Sequence, residues 1–134
     1  MKKYEILEHK ADLKIRAFGE TKEELFLNMM IGMFKNARYE GGGKKLKREI
    51  KISSQDLSSL LIDFLSELLY LCETNKEVYD RIDFKKFSEK EIEGILLGKK
   101  IKRIGVQIKG VTYHDLDVRQ NKNGIWEATV LFDI

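Results

Sequence analysis

Two aspartates and the C-terminal residue are the groups in this sequence best suited to bind an ion. Asp12 begins a run in which polar and apolar residues alternate, and Asp133 stands at the end of a similar run that closes with Ile134. In both runs the alternation typical of a strand places the aspartate on the side opposite the apolar residues. A chain that stops at Ile134 also carries a free α-carboxylate beside Asp133.

Three carboxylates that met at strand ends would repel each other unless a cation lay between them. Their oxygens are hard donors, of the kind that Ca²⁺, Mg²⁺ and Mn²⁺ prefer. The sequence therefore suggests a metal site formed by Asp12, Asp133 and Ile134, provided that the two strands are neighbours. An exposed acidic terminus without an ion is the alternative interpretation of the same residues.

The two histidines offer a second route to metal chemistry. Together with Asp12 and Asp133, His9 and His114 could form a zinc site or the centre of a metal-dependent hydrolase that cleaves phosphoesters. The sequence contains no short metal-ligand motif such as His-Glu-x-x-His. A strand that continued past Thr112 would place His114 on its apolar side, which favours a hydrogen-bonded structural histidine.

Two segments with helical periodicity must support these strands. Thr21 and Glu24 form a capping-box pattern, and a helix is expected to follow to about Arg38. Ser53 or Ser54 can cap a second helix, in which apolar residues recur every three or four positions. This stripe comprises Leu57, Leu60, Leu61, Phe64, Leu65, Leu68, Leu69 and Cys72. We expect it to be the main helix of the core.

Most other segments alternate in the manner of strands. Strands are expected at residues 4–8, 12–18, 46–52, 104–108, 116–119 and 125–132. The glycines at 41–43 are expected to form a flexible connector, and Asn123 and Gly124 to supply the left-handed turn of the last hairpin. Residues 78–100 are less regular and suggest short strands in a small subsidiary sheet. The pattern predicts one α+β domain over residues 1–134, with a mostly antiparallel sheet and two helices on one face.

Composition limits the function further. The net charge is +3, from 25 basic and 22 acidic residues whose signs are interleaved, which is typical of a solvated surface. Residues 44–51 and 99–103 are the most basic stretches, and RNA contact there is the alternative to a solvated loop or edge strand. The single cysteine, Cys72, excludes an internal disulfide. No apolar run reaches the ~20 residues of a membrane span, and no signal peptide is evident, so we expect a cytoplasmic protein.

Three segments together resemble the archease family. The first is His-Lys-Ala-Asp-Leu at residues 9–13, and the second is Leu-Leu-Ile-Asp-Phe-Leu-Ser-Glu-Leu-Leu-Tyr-Leu at residues 60–71. The third is Lys-Gly-Val-Thr-Tyr-His at residues 109–114, followed by a last strand that ends in Leu-Phe-Asp-Ile. The segments occur in the order and with the spacing of the family, and the resemblance covers essentially the whole chain.

The resemblance implies an accessory role, not an enzymatic one. Archeases assist the RtcB-type RNA ligase that joins RNA halves in tRNA splicing, by promoting guanylylation of the ligase histidine and multiple turnover. A chaperone-like role has also been proposed for the family. For this chain the resemblance implies a metal, usually Ca²⁺, held by Asp12, Asp133 and Ile134, and a partner-facing Lys109. Contact with RNA is expected to be indirect or weak.

The sequence departs from the family pattern beside the expected metal site. Lys10 stands where the family usually has threonine, and this extra cation is expected to weaken metal affinity. Gly110 follows Lys109 inside an expected strand, where a glycine often marks a bulge. Neither departure removes an expected ligand.

Overall fold

The computed structural model describes residues 1–9 and 11–134, and the side chains of all of these except Glu8 and His9. The elements of this part of the chain are β1 (Tyr4–His9), β2 (Asp12–Gly19), α1 (Lys22–Asn36), β3 (Tyr39–Ser53), α2 (Leu57–Asn75), β4 (Glu77–Phe87), β5 (Glu91–Ile104), β6 (Gly110–Gln120) and β7 (Trp126–Asp133). The strands form two antiparallel sheets, a four-stranded sheet in the order β1-β2-β7-β6 and a three-stranded sheet in the order β3-β5-β4. The α+β class and the antiparallel pairing are therefore confirmed.

Both helices contact both sheets. Helix α1 packs against β2 and β4, and α2 packs against β6 as well as β3 and β4. In β2 every second residue, including Leu13, Ile15 and Ala17, is buried against the helices. The residues between them, including Lys14 and Arg16, lie on the opposite side, which is termed the polar face of the four-stranded sheet. No helix in the described part of the chain is long and apolar enough to cross a membrane.

The apolar stripe of α2 lies at the centre of the core, as the sequence predicts. Its fully buried members are Leu60, Leu61, Phe64, Leu65 and Leu68. The ring of Phe64 lies 5.5 Å from that of Phe26 in α1, and Phe26 makes an edge contact with Phe87 of β4 at 5.1 Å. Each such side chain contributes roughly 1.5–3 kcal/mol on burial. One core therefore joins both helices to the three-stranded sheet.

The helix starts follow the capping rules, with one correction. Thr21 accepts the backbone N–H of Glu24 at 3.1 Å, as the capping box predicts. The prediction of Ser53 or Ser54 as the cap of α2 is wrong, because β3 runs to Ser53 and the helix begins later. The cap is Asp56, whose Oδ1 accepts the N–H of Ser59 at 2.8 Å.

The expected small subsidiary sheet is a full three-stranded sheet with long strands. Residues 41–43 are not a flexible connector: they lie inside β3, where the register shift between Gly42 and Lys45 marks a bulge. The inward positions of β5 alternate between large and small residues, and Gly98 approaches β4 so closely that a Cβ would lie 2.0 Å from the carbonyl oxygen of Val78. Glycines at inward positions weaken the apolar periodicity, which is why residues 78–100 seem irregular as a sequence.

The prediction of a strand at residues 104–108 is wrong except for Ile104, which is the last residue of β5. Residues 105–109 connect β5 to β6, and their backbone is bonded to the end of α1. Gly105 donates its N–H to the carbonyl of Arg38 at 3.0 Å, and Val106 donates to Ala37 at 2.9 Å. The side chain of Val106 is exposed and only Ile108 is buried. The apolar and polar residues that alternate here therefore belong to a loop held by the end of α1, and not to a strand of a sheet.

The last hairpin is closed by a loop of residues 121–125. Gly124 has the left-handed backbone expected of it, with φ of 81°. Asn121 organises the loop, because its Oδ1 accepts the N–H of Asn123 at 2.8 Å and that of Ile125 at 3.1 Å. An asparagine side chain that bonds to backbone two residues on is a common turn device. Of the expected Asn123-Gly124 pair, only the glycine has positive φ.

Candidate metal and partner site

Asp12 and Asp133 are cross-strand partners. Strand β2 pairs with β7 in an unbroken antiparallel register from Asp12 opposite Asp133 to Gly19 opposite Trp126. The condition set by the sequence, that the two strands be neighbours, is therefore met. Because side chains of directly opposed residues point to the same side of a sheet, both carboxylates lie on the polar face.

Lys109 is attached to the same end of the sheet. Its backbone N–H donates to the carbonyl of Asp133 at 2.7 Å, and the next residue, Gly110, is the cross-strand partner of Asp133 on the β6 side. Lys109 itself precedes β6, so strand parity does not decide its direction, but its side chain is exposed. Asp12, Asp133, Ile134 and Lys109 are termed the carboxylate tip.

Ile134 follows β7 directly, and its side chain packs against the core. This packing fixes the main chain beside Asp133. The α-carboxylate of a chain that stops at Ile134 therefore lies within one residue of the two aspartates in the pairing scheme. The structure brings together all four residues that the sequence and the family resemblance single out.

The charges of the tip fit a hard cation. Among the side chains that the structure describes, no basic group lies within 4 Å of the carboxylates of Asp12 and Asp133. Two like charges opposite each other destabilise a sheet unless a counter-charge is present. Among the side chains that the structure describes, which exclude those of Glu8, His9 and Lys10, no three of His, Cys, Asp or Glu converge on one point. A metal here would thus be held by two carboxylate side chains and the α-carboxylate, with water completing the six to eight oxygens that Ca²⁺ takes.

The prediction that His114 lies on the apolar side of a strand is wrong. Between Thr112 and Asp117, five positions along β6 correspond to two along β7, so three extra residues bulge out of the sheet. Asp115 in this bulge has φ of 58°, and the His114 side chain is 74% exposed. The bulge breaks the alternation on which the sequence prediction depends.

The bulge places a second small cluster beside the tip. The Oδ2 of Asp115 lies 3.4 Å from Nζ of Lys14 and 3.5 Å from Nε2 of His114. Lys14 lies two residues from Asp12 on the same face of β2, which is about 7 Å along a strand. Sequence reasoning missed this cluster, because nothing in the local pattern indicates an aspartate in the left-handed conformation within a strand.

Two expectations lie outside the described residues. One is the extra cation at Lys10. The other is the participation of the His9 side chain in a hydrolase site, although the backbone of His9 does pair with Leu13 at the end of β1. Of the two histidines in the hydrolase alternative, only His114 has a described side chain, and it lies in the exposed bulge.

A buried ion pair in the three-stranded sheet was also missed. The side chain of Glu77 is 3% exposed, and Arg48 donates to both of its oxygens, at 3.0 and 2.7 Å. Tyr79 donates its hydroxyl to Glu77 at 2.9 Å, and Lys100 lies 3.7 Å away. Burial alone would raise the pKa of Glu77, but these partners lower it below its ordinary value. The cluster connects all three strands of this sheet.

Cys72 is a structural thiol. It is 2% exposed in α2, and burial raises its pKa to about 12. A thiol with such a pKa carries almost no thiolate at neutral pH, and the thiolate is the nucleophile. Its burial agrees with the position of Cys72 in the apolar stripe of α2.

Known proteins with similar sequences share one family. The model of the Archease protein family matches residues 4–134. Protein archease from Methanosarcina mazei is 39% identical over an alignment of 142 positions, which covers 99% of this chain and 97% of that protein. Protein archease from Pyrococcus furiosus is 35% identical over an alignment of 146 positions, which covers 100% of both chains.

Solved structures share the fold. The crystal structure of a Thermotoga maritima archease, described as a possible chaperone, has a TM-score of 0.71 over 96% of this chain and 94% of that chain, at 21% identity. The solution structure of a Methanobacterium thermoautotrophicum protein has a TM-score of 0.69 at 25% identity and covers 100% of both chains. The full-length family match and the sequence identities above 30% show that this chain belongs to the archease family.

Proposed function

We propose that this protein activates an RtcB-type RNA ligase in tRNA splicing, by promoting guanylylation of the ligase histidine and multiple turnover. It would act in the cytoplasm and perform no ligation itself. The observation that supports this proposal is the carboxylate tip, in which Asp12 lies opposite Asp133 and the exposed Lys109 is bonded to the same strand end. This arrangement coincides with the residues that the family resemblance assigns to metal binding and partner contact.

The proposed metal is Ca²⁺, with Mg²⁺ or Mn²⁺ as alternatives of the same hard class. Asp12, Asp133 and the α-carboxylate of Ile134 would hold it. The bound ion would offset the repulsion between the carboxylates and so fix the shape of the tip. A fixed tip loses less conformational entropy when it meets a partner than a mobile one does.

A small protein can activate an enzyme through contact alone. It needs only a higher affinity for the guanylylation-competent state of the ligase than for the other states, and a tenfold population shift requires about 1.4 kcal/mol. An acidic tip is complementary to a basic, metal-containing cleft, and complementary charges steer two proteins into one orientation. Lys109 would contribute a cation at the edge of the contact.

The test is a guanylylation assay of the purified ligase with labelled GTP. The protein should raise the rate and the number of turnovers, and Asp12→Asn and Lys109→Ala should lose most of the increase. Lys122→Ala is the matched control, because Lys122 is an exposed lysine of the hairpin loop at the far end of β7. Equal rates with and without the wild-type protein would contradict the proposal.

The α-carboxylate of Ile134 can be tested separately. A few residues added after Ile134 convert this carboxylate to an amide and place chain at the proposed ion position. Ca²⁺ affinity and ligase activation should both fall, whereas an N-terminal extension of the same length should leave them unchanged. Equal affinity and activity in the untagged, N-extended and C-extended proteins would remove Ile134 from the ligand set.

A chaperone role is the second candidate, because the Thermotoga maritima structure carries that description. It predicts that the protein suppresses aggregation of a thermally unfolded test protein, without the ligase. The hydrolase alternative predicts metal-dependent cleavage of a phosphodiester by the isolated protein. Both assays use the same preparation as the guanylylation assay, so the three functions can be compared directly.

A further inference from the structure

The two basic stretches of the chain meet in the three-stranded sheet. Strands β3 and β5 pair so that Lys45 lies directly opposite Lys99. In the adjacent row, Leu97 of β5 lies between Lys47 of β3 and Arg81 of β4. Residues more than fifty positions apart in the sequence thus form one cationic patch.

These cations line a groove on the outward face of the sheet. Lys45, Lys47, Arg81 and Lys99 are all exposed, and the groove contains one carboxylate, that of Asp80. The rest of its lining consists of Leu46, Leu97 and Gly98. Four positive charges against one negative charge give the groove a net charge of +3.

The cations of the groove differ from those elsewhere on the same sheet. Further along β3, Lys51 lies 3.4 Å from Glu93, and Lys86 of β4 lies 2.9 Å from Glu91. Within the described residues, none of the four groove cations lies within 4 Å of a carboxylate. The groove cations are thus unpaired, whereas Lys51 and Lys86 further along the sheet, and Arg48 and Lys100 beside the groove, have carboxylate partners.

Such an arrangement destabilises the free protein. Like charges directly opposite each other across two strands repel, and a neutralising partner on Lys45 or Lys99 would relieve this repulsion. Lys44, which precedes Lys45 in the bulge of β3, is a further exposed lysine. The groove thus concentrates positive charge where the fold does not require it.

We propose that this groove binds the phosphate backbone of single-stranded RNA. A protein partner fits less well, because the centres of protein interfaces are enriched in aromatic residues and depleted of lysine, whereas the described lining of this groove has the opposite composition. A phosphate backbone repeats its charge at every nucleotide, which suits cations repeated along two adjacent strands. The apolar Leu97 between them offers a surface for ribose or base edges.

The groove and the carboxylate tip lie on different sheets. The tip is at the end of the four-stranded sheet, and both helices contact the two sheets. RNA in the groove would therefore leave the tip free to meet the ligase. The inference does not rest on the proposed function, since RNA binding by the isolated protein requires no ligase.

The test is fluorescence anisotropy with a labelled 12-nucleotide oligouridylate, between 50 and 200 mM KCl. The logarithm of the affinity falls with the logarithm of the salt concentration by about 0.7 per neutralised phosphate, so four contacts predict a loss of about 50-fold over this range. The variant Lys45→Ala/Lys99→Ala should lose only about sevenfold over the same range, and should bind more weakly at 50 mM KCl.

The matched control is Lys90→Ala/Lys122→Ala. It removes the same net charge from two exposed lysines outside the groove and should bind as the wild type does. Asp12→Asn should also bind RNA normally, which separates this inference from the ligase proposal. Circular dichroism of each variant checks its fold.

Three results would overturn the inference. The first is that the wild-type protein fails to bind the oligouridylate at 50 mM KCl. The second is that both double variants have the same affinity and salt dependence, which would mean that diffuse charge suffices. The third is that Lys45→Ala/Lys99→Ala binds RNA normally but no longer stimulates guanylylation of the ligase in the absence of RNA, which would assign the groove to a protein partner.

Discussion

Asp12 and Asp133 face each other directly across β2 and β7, and no basic group among the described side chains lies within 4 Å of either carboxylate. The backbone register alone holds the two carboxylates together, since the strands are paired along their whole length from this point. The repulsion between them is thus built into the sheet, and an ion that binds there would stabilise the fold.

Exchange of Asp12 for asparagine should therefore have opposite effects with and without metal. In a chelator, Asp12→Asn removes the repulsion and should stabilise the protein by about 0.2–1 kcal/mol. With Ca²⁺ at a hundred times its Kd, the wild type should gain about 2.7 kcal/mol and the variant should gain nothing. Thermal unfolding in EDTA and in Ca²⁺ measures both effects. The control is Asp117→Asn, which lies on the same face but outside the tip and should still be stabilised by Ca²⁺. If Asp117→Asn also lost the stabilisation by Ca²⁺, this would argue against a defined site.

Lys109→Ala should separate partner contact from folding. Alanine retains the backbone N–H that bonds to Asp133, and the lysine side chain is exposed, so stability should change by no more than about 0.5 kcal/mol. Ca²⁺ binding should persist while ligase activation falls. Unfolding curves, calorimetric titration and the guanylylation assay measure the three quantities, with the exposed Lys102→Ala as control. A large drop in the unfolding temperature would make Lys109 a structural residue.

The ion pair of Glu77 should make stability depend on acid pH. Its folded pKa is lowered from an ordinary value of 4.5, so its contribution is complete above pH 4.5 and is lost as the pH falls through the lowered pKa. Glu77→Gln should cost about 2 kcal/mol at pH 7. The difference between the variant and the wild type should shrink below pH 4.5.

Urea unfolding between pH 3 and 7 measures this difference. Glu91→Gln, which breaks the exposed pair with Lys86, is the control and should change stability little at any pH. A difference between wild type and Glu77→Gln that stays constant down to pH 3 would show that the charge of Glu77 does not contribute.

Lys45→Glu should increase the stability of the protein and weaken its binding to RNA. It replaces a like-charge pair with an opposite-charge pair across from Lys99, which should stabilise the protein by about 0.2–1 kcal/mol. The same change reverses a charge in the groove and should weaken oligouridylate binding more than Lys45→Ala does. Urea unfolding and anisotropy on one preparation give both values. Lower stability would mean that Lys45 does not face Lys99 in solution.

The sequence predicted those elements whose periodicity is set by a single core. The α2 stripe around Phe64 and the alternation of β2 and β7 were read correctly, because one side of each packs on the same apolar interior. The approach of Asp12 to Asp133 could be predicted only conditionally, since strand order is not encoded in local spacing. Once β2 and β7 pair, the parity of both residues places them together.

The errors occurred where backbone geometry replaces side-chain alternation. Gly98 occupies an inward position of β5 because the neighbouring strand comes too close for any side chain, so the strand has no apolar residue there. His114 lies in a bulge that contains Asp115 in the left-handed conformation, so its side chain does not lie on the apolar side that strand alternation predicts. Asp56 caps α2, and Ser53 and Ser54 do not, because β3 extends to Ser53 and the helix begins later. None of these features has a periodic pattern.

Strand β7 comes after the other six strands in the sequence, yet it lies inside the four-stranded sheet between β2 and β6. A ribosome must therefore have released almost all of residues 1–134 before this sheet can be completed. Until then β2 has an unprotected edge and β6 has no strand partner, and unpaired strands are prone to pair with other chains. Closure also requires contacts between residues near opposite ends of the chain, which slows folding. The tip and the four-stranded sheet consequently form in the same step, because Asp12 and Asp133 come together only when β7 pairs with β2.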